Sequence, residues 1–301
     1  MEQYLGIDIG GTNVKMGIVD AKTGHISNFY SHDTVSWRKS GHFEERLAEA
    51  IALQLHDNPS VQKVGIGLPG MLNRARTVPI EITAIPELNN VPLVDFLSDK
   101  CPNIVFLLEN DANAAALGEF YFGEESIDEN YIFITLGTGV GGAAVLNKKI
   151  FTGGNGNAME PGHIPSVNGK VLERNIGKNE LLSMANAMRK EFKGTTILPN
   201  DGSITTTGLV AAATKNDELA LKIFDNVGDI LGVGLANLIP ILDINLILVG
   251  GGLSASFDFI LPAVQRKLDF WLTKYHHNGL TIRRATLAND AGLLGAASLC
   301  F

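Results

Sequence analysis

The chain reads as an α/β protein built from two related halves, and three observations carry that reading. Glycine is the first: 33 of 301 residues exceeds the usual share of about 7%. The excess gathers at Gly10 and Gly11, Gly137 to Gly142, Gly153 to Gly156, and Gly250 to Gly252. Repetition is the second. Ile7-Asp8-Ile9 runs into Gly10-Gly11-Thr12 and out through Met16-Gly17-Ile18-Val19, and Ile134-Thr135-Leu136 runs into Gly137-Thr138-Gly139 and out through Ala143-Ala144-Val145-Leu146. Each is a strand, a glycine turn and a strand, and superposing them also brings Asp20-Ala21-Lys22 onto Asn147-Lys148-Lys149. The third observation is that helical spacing alternates with strand-like runs in both halves, the mark of α/β domains.

The elements follow in order. After the first hairpin, Phe43, Leu47, Ala50, Ile51 and Leu55 keep helical spacing from Phe43 to Leu55. A buried strand from Val64 ends at Gly70, and its counterpart in the second half is Leu246 to Gly252. Asn113 to Phe122 predicts a helix, as does Leu219 to Leu238, whose apolar stripe includes Ile223, Phe224, Val227 and Leu231. Phe257 to Tyr275 predicts another, behind the Gly250 turn.

Composition bounds the function. A chain of 301 residues is long for one core, since domains run to about 100–200 residues. With 45% hydrophobic and 19% charged residues it is an ordinary globular sequence. A net charge of −8 gives no general cationic field for a nucleic-acid backbone or an anionic lipid surface. The two cysteines, Cys101 and Cys300, have no CxxC spacing, which with the absence of a basic, apolar leader points to a reducing cytoplasm. The most apolar stretch, Leu231 to Leu253, is broken by Asn237, Pro240, Asp243 and Asn245, so no membrane span is expected.

The glycine turns are the candidate chemistry. Without Cβ the backbone approaches an anion closely and successive N–H groups converge on it, with Thr12 and Thr138 adding hydroxyls. No GxxxxGK[ST] occurs, which excludes a P-loop. Gly137-Thr138-Gly139-Val140-Gly141-Gly142 fits G-x-G-x-x-G but leads into a strand, where a dinucleotide fold needs a helix. Asn110 and Asp111 stand before the helix-forming run Ala112 to Phe120. The residues alone leave two readings open there, helix capping and a general base.

Asp8-Ile9-Gly10-Gly11-Thr12, Glu109-Asn110-Asp111-Ala112-Asn113-Ala114-Ala115, Leu136 to Gly142, Glu160-Pro161-Gly162-His163-Ile164 and Val249 to Ser254 resemble, in that order, the motifs of ROK sugar kinases. The resemblance spans Gly6 to Ala297, where Asn289 to Ala297 resembles the family's closing helix. It implies the actin-like ATPase (ribonuclease H-like) fold, with two duplicated α/β lobes around a cleft that closes on sugar. The lobes would be residues 1–112 with a returning helix from 289–301, and residues 113–288.

The resemblance also assigns roles. Asp111 would be the general base for phosphoryl transfer from ATP to a sugar hydroxyl. Asn110, Asp111, Glu160, His163 and Glu173 would bind the sugar, and Asp8 would hold Mg²⁺ through water. Gly10, Gly11 and Thr12 with Gly137, Thr138 and Gly139 would cradle phosphates, and Gly250, Gly251 and Gly252 would lie against the adenosine. Dimers are common in the family, which makes a homodimer an expected assembly.

Two departures stand out. The family carries a cysteine-rich zinc loop after the histidine, whereas Ile164 to Lys170 is short and cysteine-free, and Val171-Leu172-Glu173 replaces Cys-Leu-Glu. No zinc is therefore expected, and Ile164, Val167, Val171 and Leu172 are the apolar anchors available to hold His163 and Glu173. The family's Asn-Leu-Pro sugar loop is altered too, to Ala84-Ile85-Pro86-Glu87-Leu88-Asn89-Asn90. The competing expectation is a sugar-sensing regulator of the same family without a DNA-binding domain, since five residues precede Gly6. Asp111 with Glu160, His163 and Glu173 argues against it.

Overall fold

The computed structural model describes residues 2–39, 41–124 and 127–301. In chain order its elements are β1 (Gln3–Ile9), β2 (Asn13–Asp20), β3 (Ile26–Asp33), α1 (Thr34–Lys39), α2 (Phe43–Asp57), β4 (Lys63–Leu68), β5 (Met71–Leu72), β6 (Pro79–Glu81), α3 (Leu93–Lys100), β7 (Val105–Asn110) and α4 (Asp111–Phe122). They continue as β8 (Tyr131–Leu136), β9 (Val140–Leu146), β10 (Lys149–Ile150), α5 (Glu173–Ile176), α6 (Lys178–Glu191), α7 (Thr206–Thr214) and α8 (Glu218–Leu242). The chain ends with β11 (Leu246–Gly250), α9 (Phe257–Trp271), α10 (Lys274–His277), β12 (Thr281–Arg284) and α11 (Ala291–Ser298). It divides into two compact units, one of residues 1–127, 143–158 and 289–301, the other of residues 128–142 and 159–288.

The duplication is visible in the strand orders. One sheet runs β3-β2-β1-β4-β7 and another β10-β9-β8-β11-β12. In the first sheet β1 pairs antiparallel with β2 and parallel with β4, and β4 pairs parallel with β7. In the second, β11 pairs parallel with both β8 and β12. Each glycine turn thus sits at the carboxyl end of a strand that begins a parallel set, the edge at which open α/β sheets bind ligands.

The first unit owes its packing to a row of glycines. Gly17, Gly6 and Gly65 face each other across β2, β1 and β4. With no side chains on that rung, α11 lies directly on the sheet: a Cβ at Gly65 would strike the carbonyl oxygen of Ala296, and one at Gly6 that of Leu293. The opposite face of the sheet is conventional, with Leu5, Ile7, Val14, Met16, Ile66 and Leu108 packed with Phe43, Leu47 and Ile51 of α2 and Leu93 and Leu97 of α3. A single-residue slip would exchange the two faces. The glycine rung therefore fixes the register that sets Asp8 at the end of β1.

In the second unit α8 extends the expected stripe at both ends, from Glu218 to Leu242, with Asp217 capping Ala220 N at 3.0 Å. Pro240 lies inside its last turn and Asp243 ends it in the left-handed region. The helix expected over Phe257 to Tyr275 stops at Trp271 instead. Leu272 is extended, and Thr273 caps the separate α10 by accepting from His276 N. No helix among the described residues is long and apolar enough to cross a membrane.

Candidate active site

In the first unit β1 delivers Asp8 opposite Lys15 on β2 and beside Gly67 on β4, which in turn faces Glu109 on β7. The Lys15 ammonium lies 3.5 Å from the Asp8 carboxylate and donates to the backbone oxygen of Asn289 at 2.9 Å. Burial pushes the Asp8 carboxyl above its ordinary range, against the pull of Lys15. A Cβ at Gly292 would lie 2.7 Å from the carboxylate carbon, so any side chain there would push the Asp8 carboxylate out of place. A half-buried carboxylate that is only partly compensated suits a cation held through water.

The turn after β1 is tied at both ends. Gly10 N donates to Asn13 O at 2.9 Å, the Thr34 hydroxyl donates to Gly10 O at 2.7 Å, and Thr34 N donates to Thr12 O at 2.9 Å. Gly11 and Thr12 are exposed at its tip. A fixed, exposed backbone loop is what a phosphate cradle requires.

The backbone assigns the cap of α4. Asn110 is the N-cap: it is extended, and its Oδ1 accepts from Ala112 N at 2.9 Å and Asn113 N at 3.2 Å. Its Nδ2 donates to Gly70 O at 3.1 Å. Asp111 is the first residue of α4, with its Oδ1 2.8 Å from Ala112 N. Gly67 packs under this first turn, where an added Cβ would press on the Ala114 Cβ at 3.2 Å.

In the second unit Glu160, His163 and Glu173 come together. Pro161 to His163 form a single 3₁₀ turn, with His163 N donating to Glu160 O at 3.1 Å, and the His163 side chain is exposed. Gly162 is wedged against the Val140 carbonyl and the Glu173 Cβ. The Glu160 carboxyl is pushed up by burial and by the nearby Glu173 charge, and His163 opposes the shift. Glu173 Oε2 accepts from Val140 N at 3.2 Å and lies against Gly139. It therefore buttresses the glycine turn, a contact that the sequence reading did not foresee.

The two remaining glycine turns are neighbours. Gly137 N donates to Gly139 O at 2.9 Å, closing a tight turn after β8. After β11, Gly251 takes φ 85° and packs on Leu136 and Thr135, while Leu253 N donates to Leu136 O at 2.9 Å. Cβ atoms added at Gly137 or Gly252 would meet nothing within 4 Å. Both turns are open at these positions, and open glycine backbone of this kind can offer N–H donors to the phosphates of ATP.

The short loop after His163 holds itself differently from expectation. Of its four apolar anchors only Leu172 is buried, packed on Gly234, while Ile164, Val167 and Val171 are half-exposed. Hydrogen bonds hold the rest. Pro165 bridges Val171, Ser166 N donates to Lys170 O at 2.8 Å, and Leu172 N donates to Ile164 O at 3.0 Å. The buried Asn175 amide donates to both Val167 O and Val171 O at 3.1 Å. Both cysteines are buried, and no group of three or more His, Cys, Asp or Glu is poised for a metal among the described residues. A zinc-selective chelator should therefore leave the melting temperature and the Mg²⁺-supported activity unchanged. Stoichiometric zinc in the purified protein would overturn that expectation.

The Glu160 environment carries a testable pH dependence. Its folded pKa lies above the ordinary 4.5, so the native state binds more protons than the unfolded chain across that interval. The stability of the native state therefore falls as pH rises through the folded pKa. Glu160→Gln should raise the melting temperature more at about pH 8 than at about pH 4, where the unfolded carboxyl is itself largely protonated. Equal shifts at both would show that the carboxylate is not strained by its surroundings.

Two α/β units whose sheets follow matching strand orders make up a duplicated scaffold. The chain belongs to the ROK family, whose model matches residues 4–301. It is 32% identical to a glucokinase of Thermotoga maritima, covering 99% of this chain and 96% of that one. It is 29% identical to an N-acetyl-D-glucosamine kinase of Histophilus somni, over 98% of each. A ROK family glucokinase from Streptomyces griseus, solved with glucose and AMPPNP, is 28% identical with a TM-score of 0.79 over 99% of both chains. The fold is the actin-like ATPase fold.

Proposed function

We propose that this chain, an ATP-dependent sugar kinase, transfers the γ-phosphoryl group of ATP to a hexose hydroxyl with Asp111 as the general base. The Asp111 carboxylate takes the hydroxyl proton as the sugar oxygen bonds to the γ-phosphorus and the bond to the β-phosphate oxygen breaks, releasing ADP. Asn110, Glu160, His163 and Glu173 orient the sugar, Asn110 through the amide hydrogen not aimed at Gly70 and Glu173 through the oxygen not used on Val140. Gly10, Gly11, Thr12, Gly137, Thr138 and Gly139 offer backbone and hydroxyl donors to the phosphates, and Gly250 to Gly252 accommodate the adenosine. Asp8 would hold Mg²⁺ through water, and the cation would supply charge neutralisation on the transferring phosphate.

The observation that carries this reading is the division of labour at the start of α4. Asn110 caps α4 through Ala112 N and Asn113 N, so the cap does not depend on Asp111, whose carboxylate shares only the Ala112 amide of these two and, standing at the strand–helix junction, has acceptor sites beyond that one bond. ATP consumption across a panel of glucose, mannose, fructose, N-acetylglucosamine and N-acetylmannosamine tests it, with at least one sugar expected to stimulate turnover. Failure of every sugar would favour a regulator that binds sugar without phosphorylating it. A homodimer in the cytoplasm without nucleic-acid partners belongs to the same proposal.

A further inference from the structure

The carboxylate of Glu109, one of the most buried charges in the first unit, sits immediately before Asn110 and Asp111. It is 9% exposed, and one of its oxygens, Oε1, accepts from Asn110 N at 2.8 Å and from Asn113 Nδ2 at 3.0 Å. The same oxygen meets the guanidinium of Arg76 at 3.2 Å, itself 17% exposed. A carboxylate so placed persists only if it is paired and hydrogen-bonded, and here its hydrogen bonds grip both sides of the β7–α4 junction.

Arg76 is itself held rigidly. It stands at φ 57° in the turn between β5 and β6. Asn73 clamps that turn, its Oδ1 accepting from Thr77 N at 2.8 Å and Val78 N at 3.1 Å, while Arg76 N donates to Asn73 O at 2.9 Å. The guanidinium also donates to the Gly156 carbonyl. Asn157 then bonds both backbone groups of Leu72, accepting from its N at 3.0 Å and donating to its O at 2.9 Å. Arg76 Nη2 thus reaches both Glu109 and Gly156 while Nη1 reaches Asn157 Oδ1 at 3.4 Å, a two-nitrogen fork that a single ammonium cannot reproduce.

We infer that Arg76, acting through Glu109, is a positioning residue that fixes Asp111 at the start of α4. The inference rests on Asp111 being the base. Arg76 bonds Glu109, Gly156 and Asn157, so its removal should act on turnover more than on nucleotide binding, because small displacements of a base are costly.

The test uses the full-length protein with the panel sugar of highest turnover, comparing Arg76→Met, Arg76→Lys and Asp111→Asn with wild type. Arg76→Met should lower kcat at least tenfold with the KM for ATP within about twofold, and should lower the melting temperature by stranding the Glu109 charge. Arg76→Lys restores the charge and should recover the melting temperature, yet leave kcat several-fold low for want of the second contact. Should Arg76→Met keep kcat within twofold of wild type while Asp111→Asn is inactive, the positioning role fails and the base stands. Recovery of kcat together with melting temperature in Arg76→Lys would also overturn it, since charge balance alone would then suffice. An active Asp111→Asn would instead remove the base reading on which the inference rests.

Discussion

Asp111→Asn is expected to lower kcat by about 10²–10⁴-fold, the usual contribution of a general base, while leaving sugar binding measurable by calorimetry close to wild type. The local structure allows so clean a substitution. The Asp111 Oδ1 lies 2.8 Å from Ala112 N, and an asparagine oxygen accepts equally well at that place. The helix cap belongs to Asn110 and is untouched. Shape and capping survive, and what is lost is the capacity to take a proton. A variant that keeps more than half the wild-type kcat would remove Asp111 from the mechanism.

Much of this architecture can be read from the sequence because its signals are local. The two hairpins announce themselves through glycines between apolar runs, and the strands after them through apolar stretches that end in glycines. What resisted reading was long-range or competitive. Glu109 finds Arg76 across an intervening helix and strand, and nothing in the neighbourhood of either residue signals the pairing. Helix α9 ends earlier than its spacing predicts, since Leu272 and Thr273 do not interrupt the apolar pattern, yet Thr273 serves better as a cap for α10 than as an interior helical residue. The loop after His163 shows the same limit. Its apolar residues suggest packing, whereas backbone pairing and the Asn175 amide, only four and eight residues beyond the carbonyls it holds, win the competition and provide the tether.

Two glycine substitutions should separate glycines kept for the fold from those kept for the ligand. Gly65→Ala places a methyl against the carbonyl oxygen of Ala296, backbone against backbone, where no rotamer can relieve it. Overpacking of a well-filled core costs about 1–3 kcal/mol and occasionally more, and with α11 resting directly on this rung the loss should reach at least the upper figure. Denaturant unfolding would show it as a lower midpoint, and an unchanged midpoint would mean that α11 does not rest on the sheet as described. Gly137→Ala should do the opposite. The added Cβ meets nothing within 4 Å and the backbone is outside the left-handed region, so the fold should keep its stability or gain up to about 1 kcal/mol through a less flexible unfolded chain. If the turn after β8 receives phosphate, that methyl occupies the space the anion needs, and the KM for ATP should rise by roughly tenfold, equivalent to about 1.4 kcal/mol of binding. An unchanged KM in a stably folded Gly137→Ala protein would leave that turn a hairpin and no more, and would move the phosphate site elsewhere.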